Sequence, residues 1–134
     1  MTVYIIDTNV FSDIVAPVPN PTVLGNLARH RQDTLCRCEA VDYEIRRGYL
    51  KTNATTRLAT YESKVKQQFQ WVTITEADWK QAARFWADMA NMGKAFSDVV
   101  LLIAAVAKRL GDVIVSADAD FDALPIQREN WRIT

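Results

Sequence analysis

A chain of 134 residues is long enough to bury a core and too short for two comfortable domains, so one domain over residues 1–134 is expected. Apolar residues at 49% and charged residues at 24% exclude a disordered chain and match a globular one. With 16 basic and 16 acidic residues the net charge is zero, so binding to phosphate has to come from a local basic patch, helped by bound metal.

The start, Met-Thr-Val-Tyr-Ile-Ile-Asp, has no basic region ahead of an apolar core, which argues against a signal peptide. The longest apolar run, Val99 to Ala107, is too short to span a membrane. Cys36 and Cys38 are the only cysteines and have no second pair at zinc spacing. They read as reduced thiols beside a strand, and a cytoplasmic protein is expected.

In chain order, Val3-Tyr4-Ile5-Ile6 is a continuous apolar run, the pattern of a strand buried on both faces in a parallel sheet. It runs into Asp7-Thr8-Asn9, and a short helix begins near Asn9. Pro17, Pro19 and Pro21 end that helix in the loop Ala16 to Pro21. A helix follows over Thr22 to His30, then a strand over Thr34 to Cys38. Helices are predicted over Ala40 to Lys51 and Thr55 to Gln68, and a third strand over Trp71 to Ile74. Thr75 opens the best-patterned helix, with Asp78 at the reciprocal position of a capping box. Trp79, Ala82, Ala83, Trp86, Met89 and Ala90 follow helical spacing, and Gly93 is the stop. Ser97 opens a helix over Asp98 to Leu110 that is apolar nearly all round, and Gly111 ends it. Val113 to Val115 is a fourth strand leading into Ser116-Ala117-Asp118-Ala119-Asp120, and a last short strand is placed near Trp131 to Ile133. Strands alternating with helices predict a three-layer α/β/α sandwich around a mostly parallel sheet.

Asp7, Glu44, Asp98 and Asp118 each stand where strand turns into helix or within a helix's first turns. Parallel sheets gather functional groups at the carboxyl ends of their strands. Converging carboxylates repel one another unless a cation sits among them, and such hard oxygen ligands suit Mg²⁺ or Mn²⁺. Two such ions, about 4 Å apart, can clamp the attacking and leaving oxygens of a phosphodiester. Other phosphate chemistries lack their parts. His30 is the only histidine, the four glycines form neither a dinucleotide fingerprint nor a P-loop, and no Gly-x-Ser-x-Gly elbow occurs. Each acid also has a plain structural reading. Asp7 can cap the following helix, Glu44 can be a solvated surface carboxylate, Asp98 can partner a helix dipole, and Asp118 and Asp120 can form a turn.

The segments Ile5-Ile6-Asp7-Thr8-Asn9-Val10-Phe11-Ser12-Asp13, Tyr43-Glu44-Ile45-Arg46-Arg47-Gly48, Ser97-Asp98-Val99 and Val115-Ser116-Ala117-Asp118-Ala119-Asp120-Phe121 together resemble a PIN domain, and more closely a VapC-type toxin of a bacterial toxin–antitoxin pair. The resemblance spans about residues 3 to 124. It implies an Mg²⁺- or Mn²⁺-dependent endoribonuclease acting on RNA. Asp7, Glu44, Asp98 and Asp118 would be the catalytic and metal-holding set, with Asn9 and Ser116 as polar supports. It further implies a homodimer and a cognate antitoxin whose C-terminal segment obstructs the site. Two departures stand out. Ile103-Ala104-Ala105 falls about a turn later after Asp98 than the family pattern has it. The closing segment also offers two acids, of which Asp118 is favoured because it follows the hydroxyl by two, leaving Asp120 as support or helix cap.

Arg46, Arg47 and Lys51 share the Glu44 helix and are the candidates to touch an RNA backbone, with Gly48 leaving room for close approach. Asp13 is given a supporting role only, and His30 is read as a surface residue. Trp79, Trp86 and Met89 are read as core or dimer packing. The rival readings are a related nuclease acting on DNA or in RNA maturation, and a PIN-like module that binds protein without catalysis. A haloacid-dehalogenase-like phosphatase is disfavoured because Asn9 stands where its second acid belongs.

Overall fold

The computed structural model describes residues 2–111 and 113–133. Strand β1 (Val3–Ile6) is followed by helices α1 (Thr8–Val15) and α2 (Pro21–Arg29), then β2 (Thr34–Cys38), α3 (Glu39–Lys51) and α4 (Thr55–Thr60). Next come β3 (Gln70–Val72), α5 (Glu76–Asn91), α6 (Asp98–Leu110), β4 (Val113–Val115) and β5 (Gln127–Glu129). The five strands form one parallel sheet in the order β3-β2-β1-β4-β5. From β1 the chain moves outward to β2 and β3, then returns to add β4 on the other side. The strand order therefore reverses between β1 and β4, the place where parallel sheets form a crevice at the carboxyl ends of their strands.

The expected three-layer α/β architecture is present, and the apolar runs behave as their patterns require. Ile5, Ile6, Ile114 and Val115 are fully buried in the central strands. Helix α6 is buried continuously from Val99 to Ala107, which is why it is apolar all round. Its ends are defined chemically: the Ser97 hydroxyl accepts from the Val100 N–H at 3.2 Å, and Gly111 adopts φ 73°, a left-handed geometry favourable to glycine. Helix α5 has the expected capping box. Asp78 N–H donates to Thr75 Oγ1 at 3.2 Å while Thr75 N–H donates to Asp78 Oδ2 at 2.9 Å. Cys36 and Cys38 are buried thiols on β2, and burial pushes the Cys38 thiol up to about 11. No helix among the described residues is long and apolar enough to cross a membrane.

Several expectations are corrected. The last strand is Gln127–Glu129, not Trp131 to Ile133, because Val113 and Val115 take Gln127 and Glu129 as their register partners. Trp131 is buried for another reason: its ring stacks on His30 at 4.7 Å and packs against Tyr4 at 5.2 Å. His30, which also lies 3.0 Å from Asp33, is therefore a packing residue rather than a free surface group. The predicted helix over Thr55 to Gln68 is helical throughout but changes pitch. It is α to Thr60, π over Tyr61–Val65 and 3₁₀ over Lys66–Gln68. In the widened turn Tyr61 is fully buried, and its hydroxyl donates to Asp42 Oδ1 at 2.5 Å. Strand β3 ends two residues early because the Ile74 N–H is taken by the Glu39 carboxylate. Met89 is core as expected, whereas Trp79 and Trp86 are 58% and 57% exposed.

Candidate functional site

The crevice between β1 and β4 is organised around Asp7. Its N–H continues the ladder by donating to the Val115 carbonyl at 3.0 Å, which fixes the residue where β1 ends. Its carboxylate then makes three hydrogen bonds. Oδ1 accepts from the Thr8 N–H at 2.7 Å, while Oδ2 accepts from the Ser116 hydroxyl at 2.6 Å and from Asn9 Nδ2 at 3.1 Å. Asp7 thus caps α1 and also anchors a network that reaches β4, so the plain reading and the functional one hold together.

Ser116 is fully buried, and all its bonding capacity is used. Its hydroxyl donates to Asp7 and accepts from Asn9 Nδ2 at 3.0 Å and from the Asp118 N–H at 2.9 Å. Asn9 closes the ring by accepting from the Ala117 N–H at 3.2 Å. The Asp118 carboxylate accepts from the Asp120 N–H at 2.9 Å, so Asp118 caps a 3₁₀ turn over Ala119–Ala123. Asp120 lies exposed in that turn, further from Asp7 along the network.

Glu44 reaches the same place from α3: the Thr8 hydroxyl donates to its Oε1, and its Oε2 lies 3.5 Å from Arg47 Nη2. Burial pushes the Asp7 carboxyl above its ordinary range. The bonds from Ser116 and Thr8 oppose that rise, and the charges of Glu44 and Asp118 add to it. Three of the four expected acids are therefore close enough to act on one another. Asp98, exposed in the first turn of α6, lines a cleft of about 930 Å³ between α3, α5 and α6, together with Arg47, Tyr43, Trp79 and Trp86. Arg47 both lines that cleft and pairs with Glu44.

Among the described residues no three His, Cys, Asp or Glu side chains form a set that could hold a metal ion as placed. The donor chemistry nevertheless fits a hard divalent cation. The acids are oxygen ligands, and Asp7 carries a repulsion from Glu44 and Asp118 that a cation would relieve.

The basic candidates differ in availability. Arg46 is committed to Asp42 at 2.7 Å and to Glu62, locking α3 against the π turn. Arg47 is half exposed and lies 5.0 Å over the Tyr43 ring, and Lys51 is exposed in the last turn of α3. Asp13 is paired with Arg132 at 2.6 Å and tethers the C-terminal segment.

Two residues of the site escaped sequence reasoning. Thr8 stood in plain view inside Asp-Thr-Asn, where a hydroxyl between two polar groups was a usable signal. Arg128 had none. It donates to the Ser116 carbonyl at 3.1 Å and grips Asp122 with two bonds of 2.9 and 2.8 Å, buttressing the turn that carries Ser116 and Asp118. Its role depends on the pairing of Arg128 with Ile114 across β4 and β5.

Residues 4–127 match the PIN domain. No curated protein matches the chain at the sequence level. Among solved structures, a DNA-bound VapBC from Salmonella typhimurium aligns with TM-score 0.84 at 20% identity, covering 98% of this chain and 99% of that one. VapBC2 from Rickettsia felis, bound to a DNA fragment from its promoter, aligns with TM-score 0.81 at 18% identity, covering 97% and 99%. VapC20 from Mycobacterium tuberculosis, described as a sarcin–ricin loop cleaving toxin, aligns with TM-score 0.71 at 14% identity, covering 92% and 95%.

Proposed function

Because this chain belongs to the PIN-domain family, we propose that it is a metal-dependent endoribonuclease and the toxin of a toxin–antitoxin pair. The observation that carries the reading is the buried Asp7 carboxylate at the strand-order reversal, bonded through Ser116 and Asn9 toward Asp118 and through Thr8 toward Glu44. A pure binding module has no need to hold mutually repelling carboxylates there. Similar folds occur in VapBC of Salmonella typhimurium and in a sarcin–ricin loop cleaving toxin of Mycobacterium tuberculosis, which favours RNA as substrate and an antitoxin as partner.

In this reading Asp7, Glu44, Asp98 and Asp118 would hold Mg²⁺ or Mn²⁺. Such an ion, when bound, activates water and stabilises charge on the scissile phosphate. The chain's own residues supply the rest. Ser116 and Asn9 hold Asp7 Oδ2, Thr8 aims Glu44, and Arg128 fixes the turn presenting Asp118. Asp98, exposed at the mouth of the cleft, orients the attacking water. Arg47 and Lys51 meet the RNA backbone, which confers affinity without sequence choice. Arg46, already paired, supports the α3 surface from beneath. Trp79 and Trp86, exposed on α5 where they share the cleft with Asp98, are the apolar side chains that a homodimer would bury.

Asp7→Asn and Asp98→Asn should each abolish Mg²⁺-dependent cleavage of RNA, a loss of at least about a hundredfold, while the far-UV circular dichroism stays that of the folded protein. Cleavage retained by either variant would remove that residue from the site.

A further inference from the structure

A second, smaller pocket of about 290 Å³ opens beside the site, sharing Thr8 and Glu44 with it. It is walled by Thr8 and Ser12 from α1, Glu44, Gly48 and Tyr49 from α3, and Arg57 from α4. We propose that this pocket is a nucleotide subsite that takes one unpaired nucleotide of a single-stranded RNA, next to the phosphodiester to be cut. The inference rests on the nuclease reading above and assigns Gly48, Tyr49 and Arg57 to the contact with RNA beside the acids.

Three independent features support it. Gly48 occupies the interior of α3 at an exposed position, where glycine costs the helix roughly 0.5–1 kcal/mol relative to alanine. Nothing in the protein requires it, because a Cβ added there would meet no atom within 4 Å. The space above it is therefore open on the pocket side, as a ligand approaching the helix backbone needs.

Arg57 is the second feature. Arg37 and Arg46 are both tied to Asp42, whereas Arg57 is exposed and has no ion-pair partner among the described residues. A guanidinium left unpaired on a pocket wall is a bidentate receptor for phosphate. The third feature is chemical variety: one tyrosine ring and the Ser12 hydroxyl share the wall with that cation. Stacking on an aromatic ring with hydrogen bonds to a base edge is how proteins read unpaired nucleotides.

The charges set the orientation. Arg57 is the pocket's cation, so the phosphate lies toward it and the base toward the Tyr49 ring, while Glu44 stays with the acid set. The volume is at the small end of ligand pockets and admits one nucleotide, not a paired helix.

The test measures binding of a short fluorescently labelled single-stranded RNA by anisotropy, in metal-free buffer, with Asp7→Asn as the common background so that the probe stays intact. Gly48→Leu fills the pocket. It should weaken binding by roughly tenfold, the worth of one stacked base. The same change should raise the melting temperature, because leucine is favoured over glycine within a helix, so lost binding cannot be ascribed to unfolding. Arg57→Ala should weaken binding and lower the slope of log affinity against log salt by about 1. Arg31→Ala, in the connection between α2 and the amino end of β2 and outside the pocket, serves as the control and should change neither. An RNA duplex of the same sequence should be insensitive to Gly48→Leu.

Unchanged single-strand binding by both pocket variants overturns the subsite while leaving the nuclease reading intact. An equal loss for the duplex overturns it too, since the pocket would then not be selecting an unpaired nucleotide. Absence of RNA cleavage by the unmodified protein overturns the underlying reading instead, and the cleavage assay with Mg²⁺ separates the two failures.

Discussion

Asp7 shows how one side chain serves both folding and chemistry, and why its sequence position alone leaves the choice open. A carboxylate after a strand caps the next helix whether or not it does anything else, and Asp7 does cap α1. What distinguishes it is the company on Oδ2, where Ser116 arrives from 109 residues away. Burial, with the charges of Glu44 and Asp118, raises its proton affinity in the fold above that in the unfolded chain. The stability it contributes is therefore complete below the unfolded pKa and is lost as pH rises through the folded one. Its ionised form is thus a destabilising charge that a bound cation would relieve. Adding Mg²⁺ to metal-free protein should thus raise the melting temperature at neutral pH, the increment should shrink on acidification, and Asp7→Asn should show little of it. Thermal shift with and without chelator checks this.

At the scale of elements, local chemistry was readable and pairing partners were not. The capping box of α5 is visible in Thr75 and Asp78, and Thr75→Ala should cost about 1 kcal/mol in chemical denaturation. The same Asp78 is buried and bonded by Arg109 of α6 at 2.9 Å, a contact that no periodicity discloses. Burial alone would raise the Asp78 carboxyl, but Arg109 and the Thr75 N–H hold it below its usual range. That stability is present above the unfolded pKa and lost as pH falls through the folded one. Arg109→Ala should therefore cost about 2 kcal/mol at neutral pH, and the gap to the unmodified protein should close in strong acid. Strand β5 was misplaced for a related reason. Gln127-Arg128-Glu129 has no apolar alternation, and it is a strand because β4 offers a free edge at that register. Trp131 and Ile133 looked more strand-like, yet Trp131 is buried by rings from α2's end and β1.

At the scale of the molecule, two faces meet near the acids. The sheet's reversal supplies the crevice, and α3, α5 and α6 supply the cleft that Asp98 and Arg47 line. Helical spacing showed that Trp79, Trp86 and Met89 share one stripe, but Met89 entered the core while both tryptophans stayed exposed. Burying that face against a second copy is the proposed dimer. Trp79→Glu together with Trp86→Glu should shift the protein from dimer to monomer in sedimentation experiments, while the melting transition stays cooperative. An unmodified protein that is monomeric at micromolar concentration would argue against that face as a dimer surface.

The parallel α/β plan, the helix caps and the identities of the candidate acids were determined by the sequence itself. They depend on local forces: burial of continuous apolar runs, capping by nearby hydroxyls and acids, and glycine at left-handed helix ends. The distances among those acids, the commitment of Arg46 to Asp42 and Glu62, the choice of Asp118 over Asp120 as the residue in the Asp7 network, and the buttress from Arg128 were decided only in the tertiary structure. Each depends on which strands lie side by side and in what register, and that is settled by contacts between residues far apart in the chain.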